Sequence, residues 1–291
     1  MRSRMLCVVW LVGCYRPAPE PGSPCTAQGD CPGGLICDLG AVPPTCVDEL
    51  HDAAPPPDDP VVTSPITWRE TVSGTIEAGN FATLSTNEAI RVAPDDLFIA
   101  VVSVKPVHTV SSISGLSLTW TRLRQQCGGR NTARLALFRA SGPAPVSGKI
   151  TATLNGGTAF DGSAVITVHR YSGTDPAQPV GNISFANTNG SDADATCLNG
   201  TDTPSYAWNT LATTVANAVV LSAVHTTRFT HEPGAGYTER ADVQSADSSG
   251  AAGVAVQDRS VALPAPGVSV EGSFSGVPDW AAIAIEIRPH P

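Results

Sequence analysis

Alternation of apolar and polar side chains with a period of two residues is the feature that most constrains the fold of this chain. In residues 280–288, three isoleucines stand at every second position, and charged residues follow the last two. Successive side chains of an extended strand point to opposite faces, so this pattern is typical of a strand with one buried face. Residues 96–104 are almost continuously apolar, which is typical of a strand covered on both faces. No segment sustains a helical stripe, so the pattern predicts a β-rich core.

Further runs of the same character fill the C-terminal part of the chain, and turn signals such as Asn155-Gly156-Gly157 and Ser141-Gly142-Pro143 separate them. These runs are residues 118–124, 132–139, 148–154, 163–171, 218–225, 253–258 and 267–274. Roughly ten strands at this spacing predict an all-β fold, an antiparallel β-sandwich of the jelly-roll type. A β-barrel is the alternative.

Several short motifs in this region resemble a loosely defined class of jelly-roll-like domains of bacterial surface and secreted proteins. The motifs occur in the order Asp96-Leu97-Phe98-Ile99-Ala100, Leu118-Thr119-Trp120-Thr121, Leu135-Ala136-Leu137-Phe138, Val165 to Tyr171 with Gly173-Thr174-Asp175, Gly236-Tyr237-Thr238-Glu239-Arg240, and Ile283 to Arg288. The usual glycine just before the first Asp-Leu pair is Asp95 in this chain. The resemblance implies a jelly-roll-like sandwich, and it carries over no catalytic site.

The N-terminal residues have the order of a bacterial lipoprotein signal. Arg2 and Arg4 precede an apolar run over residues 5–12, and the run ends in Leu11-Val12-Gly13-Cys14. The run is far shorter than the roughly 20 residues that cross a bilayer, so it fits a cleaved signal peptide. Leu11 to Cys14 resembles a lipobox, which implies cleavage before Cys14, lipidation of its thiol, and anchoring at the outer membrane or cell surface. The alternative is an ordinary secretory signal and a secreted protein.

The cysteine count agrees with a lipidated Cys14. Once Cys7 is removed with the signal and Cys14 is lipidated, six cysteines remain, which are Cys25, Cys31, Cys37, Cys46, Cys127 and Cys197. An even number in an oxidising compartment predicts that all are in disulfides. We expect the first four to pair among themselves, with three possible connectivities, and Cys127 to pair with Cys197. The spacing of the first four does not fit a zinc site.

Composition divides the chain into four parts, and the charge is distributed unevenly among them. We assign residues 1–13 to a lipoprotein signal peptide, 14–48 to a disulfide-stapled stub, 49–65 to an acidic, proline-rich linker and 66–291 to a β-sandwich domain. The formal net charge is -9, and the chain contains only two lysines, Lys105 and Lys149. This balance excludes a nucleic-acid partner, because neutralising phosphates requires clustered cations.

No arrangement of residues with the spacing of a known catalytic motif is present, so we name no catalytic residue and expect no enzyme. Two constellations suggest ligands. Asp192, Asp194, Asn199 and Asp202 form an oxygen-rich segment of the kind that binds calcium, although it lacks the residue order of an EF-hand. A solvated acidic loop is the alternative. Tyr206 and Trp208 stand two residues apart, as a sugar-stacking platform needs, and packing in the core or between loops is the alternative for this pair. The sequence therefore predicts a lipid-anchored binding or structural module for a surface polymer or protein. The alternative is a surface hydrolase whose site is not visible in sequence.

Overall fold

The structure is a computed structural model, and it describes residues 23–25, 31, 35–38, 42–47, 65–77, 79, 81–106, 108–144, 146–155, 162–246 and 248–291. The lipobox and all of the linker before residue 65 lie outside the described residues. The chain divides into two compact units, Met1–Val62 and Thr63–Pro291. Within the described residues, no helix has the length and apolar character needed to cross a membrane.

The described part of the N-terminal unit contains a disulfide-stapled hairpin. Its strands, β1 (Ile36–Asp38) and β2 (Thr45–Val47), are antiparallel, with Cys37 opposite Cys46. Disulfides join Cys25 to Cys37 and Cys31 to Cys46. This is one of the three connectivities that the sequence left open. A segment this small has little apolar surface to bury, so covalent links replace a core.

The C-terminal unit contains two successive modules of β-strands. The first module, residues 67–172, has eight strands: β3 (Thr67–Ile76), β4 (Thr83–Ser85), β5 (Leu97–Lys105), β6 (Val110–Ser114), β7 (Thr121–Cys127), β8 (Arg134–Ser141), β9 (Thr151–Leu154) and β10 (Ser163–Ser172). They form a large sheet in the order β3-β10-β5-β8-β7 and a small sheet in the order β4-β9-β6.

The second module, residues 180–287, begins directly after the first. Its strands are β11 (Val180–Asn187), β12 (Gly190–Ser191), β13 (Ser205–Thr213), β14 (Ala218–His225), β15 (His231–Pro233), β16 (Thr238–Gln244), β17 (Gly253–Val261), β18 (Ala265–Phe274) and β19 (Ala281–Ile287), with one turn of 3-10 helix at Asp192–Asp194. The large sheet has the order β12-β11-β19-β14-β17-β16, and the small sheet has the order β13-β18-β15.

The two modules have the same topology. Apart from the two-residue strand β12, each strand of the first module has a counterpart in the second, in the same sheet and the same order. In both, the first strand pairs with the last, the second with the next to last and the third with the sixth, which is jelly-roll wrapping. The correspondence extends to a β-bulge, which lies between Arg122 and Arg124 in β7 and between Glu239 and Ala241 in β16. The C-terminal unit is therefore a tandem repeat of one antiparallel jelly roll, which confirms the predicted fold class.

Four sheet layers enclose three apolar clusters. The first cluster lies within the first module, and the third lies within the second module. The second cluster joins the modules: it contains Leu97, Ile99 and Val101 of β5 together with residues of β14 and β19. The two large sheets therefore pack against each other in the middle, and their central strands are buried on both faces. This explains why β5, β14 and β19 are nearly continuous apolar runs.

Equivalent strands of the two modules meet in the central layer. Ser103 near the end of β5 corresponds to His225 at the end of β14, and their side chains are hydrogen-bonded, Oγ to Nδ1, at 2.6 Å. Both residues are fully buried. This polar contact lies between the two large sheets at the end where Lys105 leaves β5. The loops at that end come from both modules and surround a cleft.

Candidate functional site: the junction cleft

A cleft of about 290 Å³ opens where loops of the two modules meet. The first module contributes Lys105, the last residue of β5, and the turn between β7 and β8. The second module contributes the loop before β13, the turn after β14, the turn between β16 and β17, and the loop before β19. The lining residues are Lys105, Arg130, Thr132, Asp202, Thr227, Arg228, Phe229, Ser249, Val277, Pro278 and Asp279. We call this site the junction cleft.

Asp279 ties the two modules together beneath the cleft. Its carboxylate accepts hydrogen bonds from the backbone N–H of Arg130, from the hydroxyl of Thr132 at 2.7 Å and from the hydroxyl of Thr188 at 2.9 Å. Gly128 leaves room for this arrangement, because a Cβ there would lie 2.5 Å from Asp279 Oδ2. The carboxylate is buried but fully supplied with donors, so its role is to hold the turn of the first module against the second.

Arg130 and Asp202 form an ion pair across the same boundary. Their Nη2 and Oδ2 atoms lie 2.7 Å apart, and the Arg130 side chain is about half exposed. An exposed pair of this kind contributes at most about 1 kcal/mol. The pair fixes one wall of the junction cleft.

Lys105 and Arg228 supply the other cations of the cleft. The Lys105 ammonium donates to the backbone carbonyl of Ser249 at 2.6 Å. Burial lowers the pKa of Lys105, and the nearby Asp279 opposes that effect while Arg130 and Arg228 add to it. Arg228 is exposed, and its guanidinium lies 5.3 Å from the centre of the Phe229 ring. Among the residues that the structure describes, neither cation has a carboxylate within 4.0 Å.

A disulfide holds the cleft wall in place. Cys127 at the end of β7 is bonded to Cys197 in the loop before β13, so the bridge connects the two modules. The surrounding contacts are polar: Gln126 Nε2 donates to the Ala195 carbonyl at 2.9 Å, and Asn187 Nδ2 donates to the Cys127 carbonyl at 3.1 Å. The pair is the one that the sequence analysis expected.

Thr227 has a strained backbone at the edge of the cleft. Its φ is 56°, in the left-handed region that β-branched residues avoid. Such a residue costs on the order of 1–3 kcal/mol and persists only where the surroundings enforce it. Here the backbone of Thr226 donates to the carbonyl of Gly253, and Phe229 N–H donates back to Thr226. The strained turn places Arg228 beside Lys105.

The predicted sugar platform is wrong. Tyr206 and Trp208 do share one face of β13, as their spacing indicated, but that face points inward and both are buried in the third apolar cluster. Trp208 Nε1 donates to Ser184 Oγ at 2.7 Å, and the Tyr206 hydroxyl is hydrogen-bonded to His231 Nε2 at 2.8 Å. Period two predicts a shared face, but it does not say which face is covered. In the second module, these two rings lie between the small sheet and the large sheet.

The structure also does not assemble the predicted calcium site. Asp192 accepts from the backbone N–H of Phe185 at 3.3 Å, and Asp202 is paired with Arg130. Asp194 and Asn199 belong to the same connection, but within the described residues these side chains do not form a cluster of metal-binding groups. The cluster that is present, Cys25, Cys31 and Cys37, consists of sulfurs bound in disulfides. Local contacts and the ion pair therefore separate these oxygens.

Three buried histidines are held neutral by their surroundings. Burial lowers the pKa of His169 to about 3, of His225 to about 3 and of His231 to about 4. His169 is hydrogen-bonded to Thr71 and Thr167, and His231 contacts Glu239 Oε1 at 2.8 Å. The Ser103–His225 contact has the residue types of a hydrolytic pair, but both side chains are fully buried. A substrate has no access to that serine, so these contacts are structural.

Comparisons with known proteins give no family assignment. No family model matches the chain, and no curated protein matches it. Among solved structures, a chain of the X-ray structure of melon necrotic spot virus matches at 10% sequence identity with a TM-score of 0.22. The match covers 77% of this chain and 97% of that chain. The jelly-roll assignment rests on the strand order described above.

Apart from Asp202, which was expected as a calcium ligand, sequence reasoning did not identify the residues of the junction cleft. They come from five separate loops and from the end of β5, so no local motif marks them. One signal was available: residues 121–139 contain five arginines and no acidic residue in a chain of net charge -9. Arg130, at the turn of this hairpin, is the one that reaches the cleft.

Proposed function

We propose that this protein is a lipid-anchored, extracytoplasmic binding module that recognises a surface partner through the junction cleft without chemical turnover. Three features support the anchor and its compartment: the lipobox ending at Cys14, the even number of remaining cysteines, and the disulfides Cys25–Cys37, Cys31–Cys46 and Cys127–Cys197. The acidic, proline-rich segment before the jelly rolls supports a role as a spacer between membrane and binding domain.

The observation that carries the proposed binding role is the junction cleft itself. It combines loops of two modules that a shared apolar layer, Asp279 and a disulfide hold in fixed positions. Loops on a rigid scaffold are the usual place for recognition, because binding then requires little ordering of the protein. Eight of the eleven lining residues are polar or charged, which suits a polar partner, and the apolar ones are Phe229, Val277 and Pro278.

Binding accounts for this site better than hydrolysis. The cleft contains hydroxyls and cations, but the Ser103–His225 pair lies beneath it and is closed to substrate. Catalysis by a serine would require an accessible nucleophile next to its base. We therefore propose that the junction cleft binds a partner and does not hydrolyse it.

The test applies the mature protein in detergent to a panel of bacterial surface polysaccharides and surface proteins, beside a panel of hydrolase substrates. We expect reproducible binding of at least one panel member, no turnover, and loss of that binding in the double variant Lys105→Gln/Arg228→Gln. The matched control is Lys149→Gln/Arg91→Gln, because both of these exposed cations lie outside the cleft lining. Hydrolysis that is abolished by a cleft substitution, or binding that the cleft variant retains in full, would overturn the proposal.

A further inference from the structure

We propose that the junction cleft takes an anionic group, the carboxylate of an acidic sugar unit in a surface polysaccharide, held between Lys105 and Arg228. This inference rests on the proposed binding function and names the chemistry of the ligand. It follows from the charges of the cleft, from their partners and from the size of the opening.

The charge distribution singles out this cleft. The chain has 17 basic and 26 acidic residues, and yet three cations, Lys105, Arg130 and Arg228, line one opening with only two carboxylates. Of these carboxylates, Asp202 is paired with Arg130, and Asp279 is buried under donors from the backbone and from two threonines. The positive groups that remain available at the surface of the cleft are therefore Lys105 and Arg228.

A bound anion stabilises the charged form of Lys105. Its ammonium is half buried, donates to one backbone carbonyl, and has no carboxylate within ion-pair distance among the described residues. Asp279 and Asp202 act on this cation only from beyond ion-pair distance. A cation taken partly out of water without a carboxylate in direct contact loses hydration, and a bound anion compensates for that loss. The lowered pKa of Lys105 is the expected signature of this environment. An ammonium carries three donors, so two remain for a ligand.

Arg228 complements Lys105 from the opposite module. Its planar guanidinium offers paired N–H donors, which match the two oxygens of a carboxylate. The strained Thr227 turn and the Phe229 ring position this side chain at the opening. The volume of about 290 Å³ is at the lower end of the range for small-molecule sites, which suits one sugar ring better than an extended oligomer buried along its length.

The experiment measures binding of D-glucuronate, D-glucose, inorganic sulfate and inorganic phosphate to the full mature protein in detergent by isothermal titration calorimetry. We expect glucuronate to bind and glucose not to bind. Lys105→Gln should weaken glucuronate binding by at least roughly tenfold, as loss of a charge-assisted hydrogen bond of about 1.5–3 kcal/mol implies. Lys149→Gln, which removes the other lysine of the chain, should leave the affinity unchanged.

The pH dependence distinguishes a charged contact from a packing role of Lys105. Affinity should fall as pH rises toward the lowered pKa of Lys105, and Lys105→Arg, which stays protonated, should keep its affinity over the same range. Equal binding of glucose and glucuronate, or an unchanged affinity in Lys105→Gln, would overturn the inference. Sulfate or phosphate binding as tightly as glucuronate would overturn the sugar assignment and leave an anion site without sugar selectivity.

The outcomes separate this inference from the proposed function. If a neutral surface polymer binds through the cleft and glucuronate does not, the binding function stands and the anionic ligand is wrong. If no panel member and no anion binds, both are wrong.

Discussion

Removing the disulfide between Cys127 and Cys197 should destabilise the tandem jelly roll substantially. The bridge spans 70 residues and joins the first module to the second at the wall of the junction cleft. Opening a loop of this length frees the unfolded chain, and the chain-entropy relation gives a loss of about 4 kcal/mol. For a domain of this size, 1 kcal/mol corresponds to about 2–4 °C in Tm, so the double variant Cys127→Ala/Cys197→Ala should melt roughly 8–16 °C lower.

The rest of the junction should survive this change. The second apolar cluster and the hydrogen bonds of Asp279 connect the modules independently of the disulfide. We therefore expect the variant to remain folded and to unfold in one transition at the lower temperature. Both cysteines are replaced so that the variant contains no free thiol in place of the bridge.

Differential scanning calorimetry and urea unfolding, both without reductant, measure the effect. The matched control is Cys25→Ala/Cys37→Ala, which opens a bridge in the separate N-terminal unit and should leave the main transition in place. A shift of less than about 2 °C in the Cys127→Ala/Cys197→Ala protein would refute the loop-closure reasoning, since it corresponds to about 1 kcal/mol or less. Two separated transitions in the unmodified protein would refute the rigid junction.

Three further predictions concern the layer between the modules, the small sheet of the second module and the buried histidines. Ile285→Ala, in the layer between the modules, should lower the free energy of unfolding in urea by about 2–5 kcal/mol. Leu263→Ala, at an exposed site, should change it by no more than about 0.5 kcal/mol. Equal effects of the two substitutions would contradict the burial of Ile285 between the two large sheets. Gly272→Ala should lower the free energy of unfolding by about 1–3 kcal/mol, because the new Cβ would lie 2.6 Å from both atoms of the Tyr206–His231 hydrogen bond. Gly250→Ala is the control, since a Cβ has space at that position and should leave the free energy of unfolding nearly unchanged. The pKa values of His169, His225 and His231 in the folded protein lie below 6.5. As the pH falls from about 6.5 toward 4, these histidines therefore become protonated in the unfolded chain but stay neutral in the folded chain, which favours unfolding. The free energy of unfolding should therefore decrease by up to about 1.4 kcal/mol per histidine and pH unit. Glu239 and Asp242 partly offset this loss, because burial raises their pKa values and they take up protons in the folded state. A free energy of unfolding at pH 5 that is as high as at pH 7 would be inconsistent with neutral histidines.

The sequence was sufficient to predict the fold class because that information is local. The almost continuously apolar run at residues 96–104 correctly predicted a strand covered on both faces. The period-two run at residues 280–288 correctly predicted a strand, but the expectation of a single buried face is wrong, because β19 lies between two sheets and even Glu286 is buried. We expected roughly ten strands around a single core, and the domain has seventeen strands in two modules with three apolar clusters. Short strands such as β4 and β15 carry too few residues to show a period.

The repeat itself was not predicted, and the reason is physical. A jelly roll is specified by where apolar side chains fall, so different residues satisfy the same position: His169 in β10 corresponds to Ile285 in β19, and Leu137 in β8 corresponds to Val256 in β17. The match becomes visible only through shared strand order and bulge position.

The candidate site was beyond sequence reasoning for a different reason. Tyr206 and Trp208 were placed correctly on one face of a strand, but whether that face is covered depends on the other sheet of the module. The cleft residues Lys105, Arg228 and Asp279 are far apart in sequence and meet only because the two large sheets pack back to back.

The intact mass of the mature protein, extracted with detergent from membranes of the native host, tests the proposed lipid-anchored module most directly. We expect a chain that begins at Cys14, carries acyl chains on that residue and has no free thiol among its other cysteines. Several acyl chains hold a protein firmly in a bilayer, at about 0.8 kcal/mol per buried methylene, so the protein should also partition with detergent. An unmodified Cys14, or a native protein found only in the aqueous phase, would contradict it.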